Sequence, residues 1–211
     1  MKHCILYVVR HGQSVHNRDY ITSGHVDPPL TELGVIQANK TRERLADIVF
    51  DEVYSSDLER AIHTAEIIAG KSVPNSHRLV ALRERSFGDF DGKSETLLDD
   101  HADSLRSAFN ALPDDDQWRF KWSPDIESDD ELSQRIIGAL EKIALENAGK
   151  TILVASHGGA IRTMLIKLQR LSTNSLPRGT IDNTGFAELT YDSNILEVLN
   201  LEGVKTSHNA A

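Results

Sequence analysis

The sequence is poor in the features that would commit it to redox, membrane or nucleic-acid work. It has a single cysteine in 211 residues, so no internal disulfide can form, and Cys4 lies inside the first apolar run, where an inert buried thiol is expected. No apolar run approaches the roughly 18 residues that a membrane span requires, which argues against a membrane partner. The opening Met1-Lys2-His3-Cys4 leads into only a handful of apolar residues before Arg10. That is too short for a signal-peptide core and lacks a small-residue cleavage site, so a cytoplasmic location is expected. Lys and Arg number 23 against 32 Asp and Glu, a net charge of −9. Such a surface repels phosphate backbones and excludes nonspecific nucleic-acid binding, so any positive site has to be local. There is no His-Glu-x-x-His and no Cys/His cluster at ligand spacing, so neither a metal nor a cofactor is expected. No repeat, low-complexity tract or linker divides the chain, and residues 1–211 read as one domain.

Two segments far apart share one design. Cys4-Ile5-Leu6-Tyr7-Val8-Val9-Arg10 runs into His11-Gly12, and Thr151-Ile152-Leu153-Val154-Ala155-Ser156 runs into His157-Gly158-Gly159. Each reads as a buried strand leaving its sheet at a tight turn. Ligands of open α/β sheets collect outside the carboxyl ends of parallel strands, so the two His-Gly turns are expected to meet in one crevice.

The intervening chain alternates helices and strands. Thr31 caps a helix running to about Ile48, followed by a short strand at Glu52-Val53-Tyr54-Ser55. Leu58, Ala61, Ile62, Ala65, Ile68 and Ala69 recur at helical spacing, with Arg60 off that stripe in the first turn, directed at the same strand-end edge. An apolar strand, Leu79-Val80-Ala81-Leu82, is expected before a glycine-punctuated charged loop from Arg83 to Gly92. An acidic helical insertion over about 93–148 follows, its second helix opening on the capping box Ser128-Asp129-Asp130-Glu131 and ending at an αL Gly149. Both tryptophans, Trp118 and Trp122, fall between its helices, either as an aromatic wall over the crevice or as a small hydrophobic cluster holding the insertion down. A helix from Ala160 to Leu171 and a hairpin over 185–199 complete the chain, and the polar tail from Lys205 to Ala211 is expected to fray.

Arg10, His11, Arg60 and His157 in one crevice make a site for an anion. Two guanidiniums present planar donor forks suited to phosphate oxygens. A neutral imidazole among such cations keeps a lone pair free to attack phosphorus, which would make His11 a phosphohistidine. Gly12, Gly158 and Gly159 allow close backbone approach, and a helix starting after each turn would aim N–H groups at the anion. Arginine and imidazolium charge suffices for phosphoryl transfer without a metal. The leaving oxygen needs a proton, and Glu84, in the glycine-punctuated loop, is the best placed acid. The same residue also reads as a surface salt-bridge partner of Arg83 or Arg85. His3, His77, His101 and His208 read as solvated surface residues, while His16, His25 and His63 lie near the motifs without a catalytic assignment.

Together these segments resemble the histidine phosphatase superfamily, also called the phosphoglycerate mutase-like family. The resemblance rests on Val9-Arg10-His11-Gly12-Gln13-Ser14 with Asn17, Asp27-Pro28-Pro29-Leu30-Thr31-Glu32-Leu33-Gly34, Ser55-Ser56-Asp57-Leu58-Glu59-Arg60-Ala61-Ile62-His63-Thr64-Ala65, Leu82-Arg83-Glu84 with Phe87-Gly88, and Ser156-His157-Gly158-Gly159, in family order across most of the chain. It implies a three-layer, mainly parallel α/β sheet flanked by helices, with a helical insertion over the site. It implies His11 as the phosphorylated nucleophile, Glu84 as proton donor, His157 as stabiliser of the transferring group, and Arg10, Asn17 and Arg60 as its ligands. Ser23 and Gly24 fall where the mutases carry a Thr-Gly substrate contact.

The catalytic loop reads Arg85-Ser86-Phe87-Gly88 where cofactor-dependent mutases have Arg-His-Tyr-Gly, no Arg-Arg pair occurs anywhere, and the insertion is acidic. With few cations to hold a second phosphate, the phosphatase-type branch is expected, hydrolysing a small phosphorylated metabolite. The alternatives are a cofactor-dependent phosphoglycerate mutase and a noncatalytic phosphate-binding module on the same fold. The oligomeric state, homodimer included, stays open.

Overall fold

A computed structural model describes residues 3–172 and 175–205. The expected fraying tail beyond Lys205, with His208, lies outside the described residues.

A five-stranded sheet in the order β2-β3-β1-β4-β5 forms the centre. The strands β1 (Cys4–Arg10), β2 (Glu52–Ser55) and β3 (Thr151–Ser156) run parallel, while β4 (Ile181–Asp192) and β5 (Ile195–Val204) add an antiparallel hairpin beyond β1. Alternation along β1 sends Leu6 and Val8 to one face and Tyr7 and Val9 to the other, and both sets are buried. A strand covered on both faces has no polar side to show, which explains the continuous apolar run.

On the Tyr7 face, α2 (Glu32–Arg44) and α3 (Glu59–Ala69) pack, α3 through the expected stripe of Ala61, Ile62, Ala65 and Ile68. Thr31 caps α2, its Oγ1 accepting the Gly34 N–H at 3.1 Å. The helix stops at Arg44, four residues before the expected end at Ile48, because the chain tightens into a turn in which the Ile48 N–H bonds the Leu45 carbonyl.

The Leu6 face is covered by α6 (Asp129–Glu146) and α7 (Gly158–Leu168). Ser128 and Glu131 form the capping box reciprocally. Gly149 takes its positive φ of 84° three residues after α6 ends. Leu132, Ile136, Leu140 and Ile143 of α6 pack with Leu6, Val8, Ile152 and Val154. The stretch read as an insertion therefore divides: α6 is a layer of the sheet, while α4 (Glu95–Asn110) and α5 (Asp114–Arg119) precede it outside that layer.

Three expectations need correction. Val80–Leu82 is a 3₁₀ turn rather than a strand, since the Leu82 and Arg83 N–H groups bond the Leu79 and Val80 carbonyls instead of a neighbouring strand. His77 and His101 are half-buried rather than solvated: His77 stacks on Tyr54 with centroids 4.0 Å apart, and His101 packs on Phe90 and bonds the Trp122 carbonyl at 2.6 Å. Among the described residues no helix is long and apolar enough to cross a membrane.

The turn after β1 is pressed against the start of α2. A Cβ on Gly12 would lie 2.4 Å from the Gly34 carbonyl oxygen, and one on Gly34 would lie 2.2 Å from that of Gln13. Backbone on both sides leaves neither position free to yield. Gly34→Ala is therefore expected to destabilise the fold by about 1–3 kcal/mol, seen as a melting temperature lower by several degrees. Leu33→Ala, at a side chain 47% exposed, should stay within about 0.5 kcal/mol of the parent. Equal melting of the two variants would show that the contact does not constrain the turn.

Candidate active site

The register of β1 on β3 pairs Arg10 with Ser156, and the His11 N–H extends the ladder to the Ser156 carbonyl at 3.0 Å. The residues that follow are His11 and His157, whose ring centroids stand 5.1 Å apart in an edge-on arrangement. That spacing is close to the roughly 4.8 Å between neighbouring strands, so the sheet itself sets the imidazole pair. Both rings are buried.

The Nδ1 of His11 lies 2.7 Å from the Gly12 carbonyl. A carbonyl only accepts, so Nδ1 carries the proton and Nε2 keeps the lone pair. Burial first, then the Arg60 and Arg10 charges, hold the His11 pKa well below its ordinary value of 6.5. The same causes, joined by His11 itself, depress His157. His11 is thus a neutral imidazole inside a positive field.

Arg60, from the first turn of α3, is fully buried and held on a loop: its guanidinium donates to the Val26 carbonyl at 2.7 Å, the Gly24 carbonyl at 2.9 Å and Asp27 at 3.2 Å. Asp27 also accepts the Glu59 N–H at 2.7 Å, tying that loop to the helix that carries Arg60. Arg10 is anchored on the Ile181 carbonyl. The Nε atoms of Arg10 and Arg60, both ring nitrogens of His157 and the Ser23 hydroxyl are buried with no hydrogen-bond partner within the protein. Leaving a buried donor unsatisfied costs about 1–3 kcal/mol each. So many at one place make sense if they serve a ligand rich in oxygens.

Glu84 sits beside this group. One carboxylate oxygen accepts the Arg85 N–H at 2.7 Å and the other the Gly159 N–H at 2.9 Å. A Cβ at residue 159 would fall 2.4 Å from the Glu84 carboxylate, so glycine is what lets the acid approach α7. Ser156 holds the turn before Glu84 through its hydroxyl on the Leu82 carbonyl at 2.9 Å. The salt-bridge reading of Glu84 does not hold: Arg83 forms a two-pronged pair with Asp57 at 2.7 Å, and Arg85 pairs with Asp129.

Arg10, His11, Asn17, Arg60, Glu84 and Gly158 all line one cleft of about 700 Å³, together with Ser23 and Gly24. His157 stands beside this cleft through its ring contact with His11, so the residues expected to be catalytic or phosphate-binding gather at one cavity. The expected cradle of two helix starts is only half present. His157 caps α7 directly, whereas Gly12 leads through Gln13 to Ser14, which caps a four-residue helix α1, Val15–Arg18. Asn17 belongs to that cap, its Oδ1 accepting the Ser14 N–H at 3.1 Å.

Several supports had no local signal. Thr64 accepts the Gly12 N–H at 3.0 Å, and Asn183 donates to the His11 carbonyl at 3.1 Å from 172 residues away. Asp91 accepts the His25 and Phe87 N–H groups at 3.0 and 3.3 Å, fastening the Ser23-Gly24 loop to the loop that follows Glu84. The expectation of few cations also fails. Arg85, Arg106, Arg162 and Arg178 line the outer cleft, three of them from outside α4 and α5, where composition of the insertion says nothing about them. The tryptophans take one role each: Trp122 lines the cleft, and Trp118 packs against the sheet core under Lys167, 4.5 Å from its ring.

Residues 6–202 match the family model described as the histidine phosphatase superfamily, branch 1. A 2,3-bisphosphoglycerate-dependent phosphoglycerate mutase of Bradyrhizobium diazoefficiens is 32% identical, over 96% of this chain and 100% of its own. An adenosylcobalamin/alpha-ribazole phosphatase of Salmonella typhimurium is 30% identical, over 81% of this chain and 82% of its own. Among solved structures, a variant phosphoserine phosphatase of Entamoeba histolytica in complex with phosphoserine superposes with a TM-score of 0.77 at 26% identity, covering 98% of this chain and 99% of that one.

The depressed histidines link the site to stability. Between the folded pKa and the ordinary value near 6.5, the unfolded chain binds protons that the folded site refuses, so stability is intact above that value and falls as pH drops below it. Each histidine contributes a slope of about 1.4 kcal/mol per pH unit in that window. The stability difference between the parent and His157→Asn should be flat above about pH 6.5 and change with that slope below it, as read by urea unfolding across pH. A difference independent of pH would show that His157 titrates normally.

Proposed function

The chain belongs to the histidine phosphatase superfamily, and from that premise we propose that it is a metal-independent phosphomonoesterase that hydrolyses a small phosphorylated metabolite through a phosphohistidine on His11. The observation that carries this reading is the convergence of a neutral imidazole, unsatisfied guanidinium donors and a carboxylate on one cavity.

In the first step the His11 Nε2 lone pair forms a bond to phosphorus while the ester P–O bond breaks, and protonated Glu84 gives its proton to the leaving oxygen. Arg10, Arg60 and Asn17 bind the equatorial oxygens, with Ser23 and Gly24 at the substrate's flank. His157 takes up a proton as the dianion approaches, because a nearby negative charge favours imidazolium. In the second step the Glu84 carboxylate takes a proton from water, the water oxygen bonds to phosphorus, the P–N bond breaks, and orthophosphate leaves. Guanidinium and imidazolium charge placed beforehand against the oxygens is what lowers the barrier.

Transfer to water rather than to a second substrate position fits the charge balance of the outer cleft. Arg85 and Arg178 are paired with Asp129 and Asp99, and Glu95, Asp99 and Asp129 share its walls. A bisphosphate that must stay bound while it turns over requires a surplus of positive charge that these acids remove. The second reading is a cofactor-dependent phosphoglycerate mutase, favoured by the 32% identical relative and by the four arginines of the outer cleft.

His11→Ala should abolish phosphate release from an aryl phosphate, and rapid quench without acid should trap labelled phosphohistidine in the parent only. Retained activity in His11→Ala would sink the mechanism. Glu84→Gln should slow alkyl phosphates at least about 100-fold, within the range of general-acid catalysis, and aryl phosphates much less, since their leaving oxygens need less protonation. Equal slowing would remove Glu84 as donor. Phosphate release measured against 3- to 2-phosphoglycerate exchange, with bisphosphoglycerate present, decides between hydrolase and mutase, and release is expected to dominate.

A further inference from the structure

The catalytic turn is held from behind by the start of β4. Between Ile181, which pairs with Val204, and Phe186, which pairs with Glu202, β4 carries four residues opposite the single Gly203 of β5. Such a bulge interrupts the ladder and re-aims side chains, and bulges gather next to active sites. Thr184, inside it, is buried and has a φ of 60°. A β-branched residue in the left-handed region is an outlier that persists only where its surroundings impose it. Here backbone packs on backbone: a Cβ on Gly185 would lie 2.7 Å from the Gly203 carbonyl oxygen. The side chain that this bulge delivers to the catalytic turn is Asn183, whose Nδ2 donates to the His11 carbonyl at 3.1 Å and to Asn17 Oδ1 at 3.4 Å.

Resting on the phosphomonoesterase reading of this cleft, we propose that Asn183 is a positioning residue for phosphoryl transfer, which sets the nucleophile and the amide of Asn17 as one unit. An amide oxygen has two lone pairs. That of Asn17 receives the Ser14 N–H at 3.1 Å and the Asn183 amide. The end of Asn17 left to the cleft it lines is then Nδ2, a donor, as a phosphoryl oxygen requires. Without Asn183, the Ser14 N–H alone would hold that orientation.

The same Nδ2 fixes the turn that carries His11. The peptide between His11 and Gly12 is gripped at both ends, its carbonyl by Asn183 and its N–H by Thr64 at 3.0 Å. In the next peptide the Gln13 N–H donates to Gln37 Oε1 at 2.9 Å, and the Gly12 carbonyl accepts from His11 Nδ1. Thr64 and Gln37 stop at backbone groups, whereas Asn183 goes on to a side chain that faces the phosphoryl oxygens. Two residues earlier, the Ile181 carbonyl anchors Arg10. One bulged strand start thus serves Arg10, His11 and Asn17 together, and in-line attack depends on such shared placement because small misalignments of nucleophile and phosphorus are costly.

The test is a double-variant cycle, read as affinity for inorganic phosphate by calorimetry and as kcat/KM for an aryl phosphate. Asn183→Leu keeps the side-chain shape and removes the donor. It should weaken phosphate binding and lower kcat/KM by about tenfold each, equivalent to about 1.4 kcal/mol and within the range of one hydrogen bond. In the Asn17→Ala background the same substitution should cost about threefold or less, because the amide it orients is gone; a merely structural role gives equal factors in both backgrounds. Gln37→Leu, which frees the neighbouring Gln13 N–H without touching Asn17, should cost the same factor in each. No cost of Asn183→Leu in the parent, its full cost in Asn17→Ala, or coupling as large for Gln37→Leu overturns the assignment. Should Asn183→Leu not fold, Asn183→Ser, polar and too short to reach Asn17, gives the same cycle. If the parent hydrolyses no ester while the coupling appears in phosphate affinity, the hydrolase reading fails and the positioning role stands.

Discussion

The parallel register of β1 on β3 is the constraint from which the site follows. Pairing of Arg10 with Ser156 makes His11 and His157 adjacent rungs of one ladder, and neighbouring strands hold them at the spacing of a hydrogen-bonded sheet. No loop has to be ordered to bring the imidazoles together. A slip of one residue would turn one of them to the opposite face of the sheet. The buried alternation of Leu6 and Val8 against Tyr7 and Val9 forbids that slip, since it would carry each pair into the other's core. The apolar core thus fixes the chemistry, not only the fold.

Burial then does electrostatic work. A histidine beside two arginines in water would titrate only slightly below its usual range. Here desolvation is the largest cause of the depression, and the guanidinium charges add to it through a medium that screens them poorly. The cost of crowding cations falls on the surroundings. Arg60 is stabilised by two carbonyls and Asp27, and Arg10 by the Ile181 carbonyl. Because these partners occupy only part of each guanidinium, the buried Nε atoms keep donor capacity for a phosphoryl group.

How much of this could be read from the sequence depends on whether the information is local. The strand-to-turn signal at His11 and His157, the stripe on α3, the caps at Thr31 and Ser128, and the placement of Arg10 and Arg60 at the cleft all lie in short segments, and each appears where the pattern places it. The run from Leu79 to Leu82 is ambiguous because four apolar residues satisfy a strand and a 3₁₀ turn that buries only its last side chain equally; what decides is whether a neighbour offers a ladder. The burial of His77 and His101 is illegible locally for the same reason, since an aromatic partner and a carbonyl acceptor come from other elements of the chain. Thr64, Asn183 and Asp91 act through backbone groups of other segments, and no residue pattern reports that.

The outer cleft shows the limit of composition as an argument. Counting charges along α4 and α5 gives an acidic surface, and that count is correct; yet Arg85, Arg162 and Arg178 reach the same cavity from the loop after β2 and α3, from α7 and from the approach to β4. Charge acts through space, so the balance that matters is taken around the cavity and not along the chain. Taken that way, the site has two levels of different character. The inner one is rigid, fully desolvated and held by backbone carbonyls, which suits a group that must be positioned to within a fraction of an ångström for in-line attack. The outer one mixes an exposed pair, Arg178 with Asp99, which contributes little to stability, with a largely buried one, Arg85 with Asp129. The inner residues are thus set by the register of the sheet, while α4, α7 and the segment before β4 supply the walls around them.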